Sequence, residues 1–134
     1  MEDQRTKVLL LDDEKMLLEL YRQKFEERGF DVYTCSDADD ALKVLRYGYK
    51  PDVFLLDINM PGMSGYDFLK TVKSEQLGAV PNVAIALTNQ GHDAEKRFLA
   101  ELGADAHILK ANFIPAEVIT QVEAIMKERG VEKR

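Results

Sequence analysis

Side chains at four places along this 134-residue sequence could act together on a phosphoryl group: the pair Asp12-Asp13, then Asp57, Thr88 and Lys110. Carboxylates crowded together raise one another's pKa unless a counter-charge sits among them, and a hard divalent cation supplies one. Mg²⁺ prefers oxygen ligands and is commonly held by one or two carboxylates together with phosphate oxygens. A carboxylate can also attack phosphorus to form an acyl phosphate, once the negative charge on both partners is screened. Lys110 would pair with a phosphoryl oxygen and Thr88 would add a hydroxyl donor, and phosphoryl transfer asks for little more than such positioning and electrostatics. Taken singly, each aspartate also suits a turn or strand end, and Asp12 or Asp13 could cap a following helix.

The surrounding pattern gives these residues a common place. Short apolar runs alternate with segments of helical period, and each candidate falls at the end of a run. Lys7–Leu11 precedes Asp12-Asp13, Val53–Leu56 precedes Asp57, Val83–Leu87 precedes Thr88, and Ala106–Leu109 precedes Lys110. The weaker strand Asp31–Cys35 ends only in Cys35, a lone thiol read as a small buried filler. Between the strands, a first helix carries Leu17, Leu20, Tyr21 and Phe25 on its apolar face and stops at Gly29. Ser36 with Asp39, and Ser64 with Asp67, resemble capping boxes for the next two helices, which bury Ala38, Ala41, Leu42 and Leu45, and Phe68, Leu69 and Val72. A fourth helix contains Phe98, Leu99 and Leu102 and ends at Gly103. The last opens at Pro115, carries Val118, Ile119, Val122, Ile125 and Met126, and frays from Lys127 to Arg134.

Five strand-then-helix units without a linker predict an α/β fold: a doubly wound five-stranded parallel sheet with helices on both faces, in one domain spanning residues 1–134. With strand order 2-1-3-4-5, the first and third strands are neighbours and their carboxylates meet in one crevice, where such sheets bind ligands. Hydrophobic residues make up 46% and charged ones 31%, which implies a folded core. The net charge of −6 argues against direct binding to a nucleic-acid backbone. No stretch approaches the ~18 apolar residues of a membrane span, and one cysteine permits no intrachain disulfide, so a cytoplasmic protein is expected.

From about Lys7 to Lys127 the chain resembles the receiver domains of two-component response regulators, a flavodoxin-like, CheY-like (βα)5 family. The matching segments are Leu10-Leu11-Asp12-Asp13-Glu14, Leu55 through Gly65, Leu87-Thr88 and Gly103 through Lys110. The resemblance implies a single-domain signalling switch in which Asp57 accepts a phosphoryl group from a histidine kinase or phosphotransfer protein. It also implies that Asp13, Asp57 and the backbone carbonyl of Asn59 hold Mg²⁺, with Asp12 acting mainly through metal-bound water. The output would be contact with a downstream protein target, and the domain would assist its own phosphorylation and dephosphorylation rather than act as an enzyme.

Three positions depart from the family pattern. Asn89 stands where a small residue follows the Thr, and His107 where an aromatic precedes the Lys by three. Lys110-Ala111 replaces Lys-Pro, with Phe113 one residue late. A cis bond before Ala costs ~2.5–4 kcal/mol against ~0.5–1 before Pro, so a trans, rearranged loop is expected. These changes bear on the conformational readout by Thr88, Asn89, His107 and Lys110. They admit an alternative, a degenerate receiver used only for docking. A haloacid-dehalogenase-like phosphatase is disfavoured because its nucleophile opens an Asp-x-Asp motif at the first strand, and here Asn59 occupies the second Asp position. A flavin carrier is disfavoured because Asp12-Asp13-Glu14 would repel the flavin phosphate. His107 and His92 lack the neighbours of a phosphohistidine or a metal site.

Overall fold

A computed structural model describes residues 5–58, 65–88, 101 and 103–134. In chain order these are β1 (Lys7–Leu11), α1 (Lys15–Glu27), β2 (Asp31–Cys35), α2 (Ala38–Arg46), β3 (Val53–Asp57), α3 (Gly65–Glu75), β4 (Val83–Thr88), β5 (Ala106–Leu109), a 3-10 turn (Lys110–Asn112) and α4 (Pro115–Glu128). The helix expected around Phe98, Leu99 and Leu102, and the capping role expected of Ser64, lie outside the described residues.

All strand pairs are parallel, in the order β2-β1-β3-β4-β5. The continuous apolar runs reflect a sheet covered on both faces, because side chains alternate between them. Val8, Leu10, Val53, Leu55, Val83, Ile85 and Leu87 face one core, closed by Leu18, Tyr21 and Phe25 of α1 and by Val118, Ile119, Val122 and Met126 of α4. Leu9, Leu11, Phe54, Leu56 and Ala84 face the other, closed by α2 and α3 through Ala41, Leu42, Leu45, Phe68, Leu69 and Val72. A slip of one residue in β1 or β3 would exchange these sets, which fixes the register.

Three expectations need correction. In α1 the buried residues are Leu18, Tyr21 and Phe25, whereas Leu20 is 41% exposed and Leu17 only borders the core. At 3.6 residues per turn, Leu20 points roughly 130° away from the face that Leu18, Tyr21 and Phe25 share. The N-cap of α2 is Asp37, whose carboxylate accepts the Asp40 N–H at 2.8 Å, so Ser36 and Asp39 do not form the cap. The segment after α4 does not fray: Val131 is buried in the first core, and Arg134 bonds Thr6 and Asp52.

Helix ends are set by one recurring device. After α1, Gly29 takes a left-handed φ of 87° while its N–H and that of Phe30 bond the carbonyls of Glu26 and Phe25. This Schellman turn is sealed by an edge-to-face contact between Phe25 and Phe30, ring centroids 5.2 Å apart. The same turn closes α4 through Gly130, with the Val131 N–H on Met126 O at 2.9 Å. It also closes α3, where the left-handed position is filled by Gln76 at φ 55° and the Leu77 N–H bonds Val72 O.

Candidate functional site

Asp12 follows β1 directly and is fully buried. Its backbone N–H continues the ladder by bonding Cys35 O at 3.1 Å. One carboxylate oxygen accepts the Glu14 N–H at 3.0 Å, satisfying an amide at the start of α1, whose N-cap Glu14 makes no side-chain cap of its own. The other accepts the Lys110 ammonium at 2.9 Å. Asp12 thus both holds the start of the helix and pairs with Lys110.

Asp57 is the last residue of β3, paired in register with Leu87 of β4, and its side chain is almost entirely buried. Strand β3 therefore runs one residue beyond the sequence expectation, and so does β4, which ends on the buried Thr88. Asp13 is exposed at the mouth. Carboxylate oxygens of Asp12, Asp13 and Asp57 all lie within 4.8 Å of one another.

Lys110 enters from the end of β5. Its side chain is 9% exposed, and its ammonium lies 2.9 Å from Asp12 Oδ2 and 3.3 Å from Asp57 Oδ2. Burial by itself pulls the ammonium pKa down, but the bonds and charges of Asp12 and Asp57 outweigh it, and the net shift is upward. The side chain is therefore a fixed positive charge at neutral pH. The only cis bond among the described residues is Val80-Pro81, so Lys110-Ala111 is trans, and a 3-10 turn carries the chain on to Phe113, which packs partly buried on the first core. The trans bond is the one the sequence suggested.

Two neighbours were not singled out from the sequence as parts of the site. Gly65 opens α3 hard against β3: a Cβ built there would sit 2.6 Å from Ile58 Cα and 2.8 Å from Asp57 O, so only glycine lets the helix start so close to the aspartate. Tyr21, read as core, is buried within electrostatic range of the cluster. Burial pushes its hydroxyl pKa up, Lys110 opposes this, and the charges of Asp12, Glu14 and Asp57 add to it. Cys35 is the expected buried filler, its thiol pushed up to about 12 by burial and then by Asp40 and Asp37. His107 is half-buried in β5, opposite Ala86. Asn59, Asn89 and His92 lie outside the described residues.

Among the described residues the cluster sets three carboxylates against the Lys110 ammonium, an excess of acid lined with oxygen donors. That donor set fits a hard divalent ion such as Mg²⁺ and, among the described residues, includes no soft ligand for a transition metal.

The sequence pattern of the response regulator receiver domain matches residues 8–123. The chain belongs to that family. A receiver of this kind is a phosphorylation-activated signalling switch, and receivers generally bind Mg²⁺ at an acidic pocket. The receiver is 35% identical over 125 residues to the alkaline phosphatase synthesis transcriptional regulatory protein PhoP of Bacillus subtilis, covering 93% of this chain and 50% of that protein. It thus spans about half the length of the curated relatives it matches. Among solved structures it is similar to the chemotaxis protein CheY4 of Vibrio cholerae, with a TM-score of 0.82 and 25% identity over 90% of this chain and 98% of that one. It is also similar to the BeF3-activated receiver domain of DrrB, with a TM-score of 0.75 and 25% identity over 92% of this chain and 98% of that one; DrrB is an OmpR/PhoB homologue of Thermotoga maritima.

Proposed function

We propose that Asp57 is the phosphoacceptor of this receiver and that Asp12, Asp13 and Asp57, with the backbone carbonyl of Asn59, hold Mg²⁺. The supporting observation is the placement of the Lys110 ammonium between two buried carboxylates. A cation so placed screens Asp57 from the repulsion of an incoming phosphoryl group and can turn toward its oxygens without leaving the crevice. A carboxylate oxygen of Asp57 attacks phosphorus and the bond to the donor's leaving oxygen or nitrogen breaks, so one acyl phosphate forms and one leaving group departs. Bound Mg²⁺ would supply further screening of the phosphoryl charge. Asp12 holds Lys110 in place, and Thr88 sits at the end of the adjacent strand to meet a phosphoryl oxygen with its hydroxyl.

The donor is a histidine kinase or a phosphotransfer protein, and the output is contact with a downstream protein in the cytoplasm. No nucleic acid or membrane is engaged directly by this domain. The acidic net charge supports the first point, and no described helix is long and apolar enough to cross a membrane. Chemistry is confined to the domain's own phosphorylation and dephosphorylation. Asn89 and His107 adjust the readout: His107 is smaller and more polar than the usual aromatic.

The test is intact mass after incubation with Mg²⁺ and acetyl phosphate. One phosphoryl group should be added to the parent and none to Asp57→Asn. Addition that persists in Asp57→Asn would move the phosphoacceptor elsewhere.

A further inference from the structure

At the other end of β1 and β3 from the acidic cluster, the last four residues of the chain are seated as a ligand would be. The Schellman turn at Gly130 points the chain back beneath the sheet and drops Val131, 4% exposed, against Met126 and Phe30 in the first core. Glu132 faces solvent. Lys133 then lies 4.9 Å over the Phe30 ring and 2.8 Å from Glu123. The Arg134 N–H donates to the hydroxyl of the fully buried Thr6 at 2.6 Å, and its guanidinium donates to Asp52 at 2.7 Å. The same Asp52 oxygen accepts the Lys7 N–H at 2.9 Å, so it also tethers the first residue of β1.

We infer that residues 131–134 form a clasp, an apolar-x-Lys-Arg segment bound in cis in a groove of matching chemistry built from Thr6, Phe30, Asp52, Met126 and Glu123, which locks α4 to the amino ends of β1 and β3. Exposed ion pairs are individually weak, and the Arg134 side chain is half exposed. The lock therefore rests on the combination. Burial of Val131 supplies the anchor, while the buried Thr6 and Asp52 oxygens supply directional acceptors that selectively reward donors at residue 134. Glu123 extends the grip, since it also pairs with Arg28, which caps the end of α1, and so joins the clasp to the helix beside it.

Amide hydrogen exchange followed by NMR on the full chain tests this. In the parent the Val131 and Arg134 amides should exchange slowly. In the Lys133→Ala/Arg134→Ala double variant both should speed up by about tenfold or more, together with the last turn of α4, while strand amides of Leu9–Leu11 and Leu55–Asp57 and the Mg²⁺ affinity stay unchanged. Arg134→Ala should have a smaller effect in an Asp52→Asn background than in the parent, because the partner charge is already gone. An Arg134 amide exchanging at the rate of an unstructured peptide in the parent, or strictly additive effects of the two substitutions, would overturn the clasp. Protection that grows with protein concentration, alongside a dimer in light scattering, would show the segment docked on a second copy and overturn the assignment in cis.

Discussion

Lys110 is bonded to Asp12 at 2.9 Å across 98 residues of sequence, and both groups are removed from solvent. Breaking such a pair by deleting one partner typically costs ~3–5 kcal/mol, because the remaining charge is left buried and uncompensated. Lys110→Ala should thus lower the thermal midpoint measured in chelator. It should also make stability depend on Mg²⁺ more steeply than in the parent, since an ion held by these carboxylates, as proposed, would then offset charge that Lys110 no longer does. Midpoints that respond equally to Mg²⁺ in both proteins would contradict a shared charge balance.

Gly65 supplies a steric prediction. Its absent Cβ would meet backbone atoms of Asp57 and Ile58, which cannot move aside as a flexible side chain could. Gly65→Ala should destabilise the domain by roughly 1–3 kcal/mol in urea titration, and it should weaken Mg²⁺ binding because α3 is displaced from the Asp57 end of β3. Loss of stability with unchanged metal affinity would confine Gly65 to packing.

At Gln76 the expected change is a gain. A left-handed backbone penalises any residue with a Cβ, and the equivalent positions after α1 and α4 are glycines. Gln76→Gly should raise stability by about 0.5–1 kcal/mol, read as a higher urea midpoint at constant slope, with phosphoryl uptake untouched.

Cys35 sets an alkaline limit. Its folded pKa is pushed from 9.0 to about 12, so the unfolded chain releases this proton first. The native state then holds more protons than the unfolded one, and stability falls as pH rises past about 8.5. Lys110, also raised, acts with the same sign at higher pH. Cys35→Ala should flatten the decline between about pH 9 and 11, and the native thiol should react with a disulfide reagent at pH 8 only as fast as the protein opens.

Much of this was readable from residue order because both faces of the sheet are buried. Each apolar run marked a strand, and the residue at its end marked the crevice. Strand ends were misplaced by one at Asp57 and Thr88, since a polar residue at the rim still takes part in the ladder. In α1, Leu17, Leu18, Leu20, Tyr21 and Phe25 offered two overlapping faces, and the packing of the first core around Leu18, Tyr21 and Phe25 selects one. Ser36 and Asp37 are both good caps, and the choice depends on where the β2 ladder ends. The clasp was hidden for a different reason. Arg134 and Asp52 look like surface charges until the turn at Gly130 brings them together, and no local periodicity reports a contact 82 residues apart.

The reach of Lys110 has a consequence for the order in which the protein is made. Asp12, Asp13 and Asp57 are all synthesised well before the lysine, so a nascent chain that stops short of residue 110 carries the acids without the cation that offsets them. Allowing for the length held in the ribosomal tunnel, the crevice can close only after residue 110 has emerged. Competence to take a phosphoryl group would then mark a receiver whose fifth strand is in place, and a kinase meeting shorter ribosome-bound fragments would find the acids without their lysine.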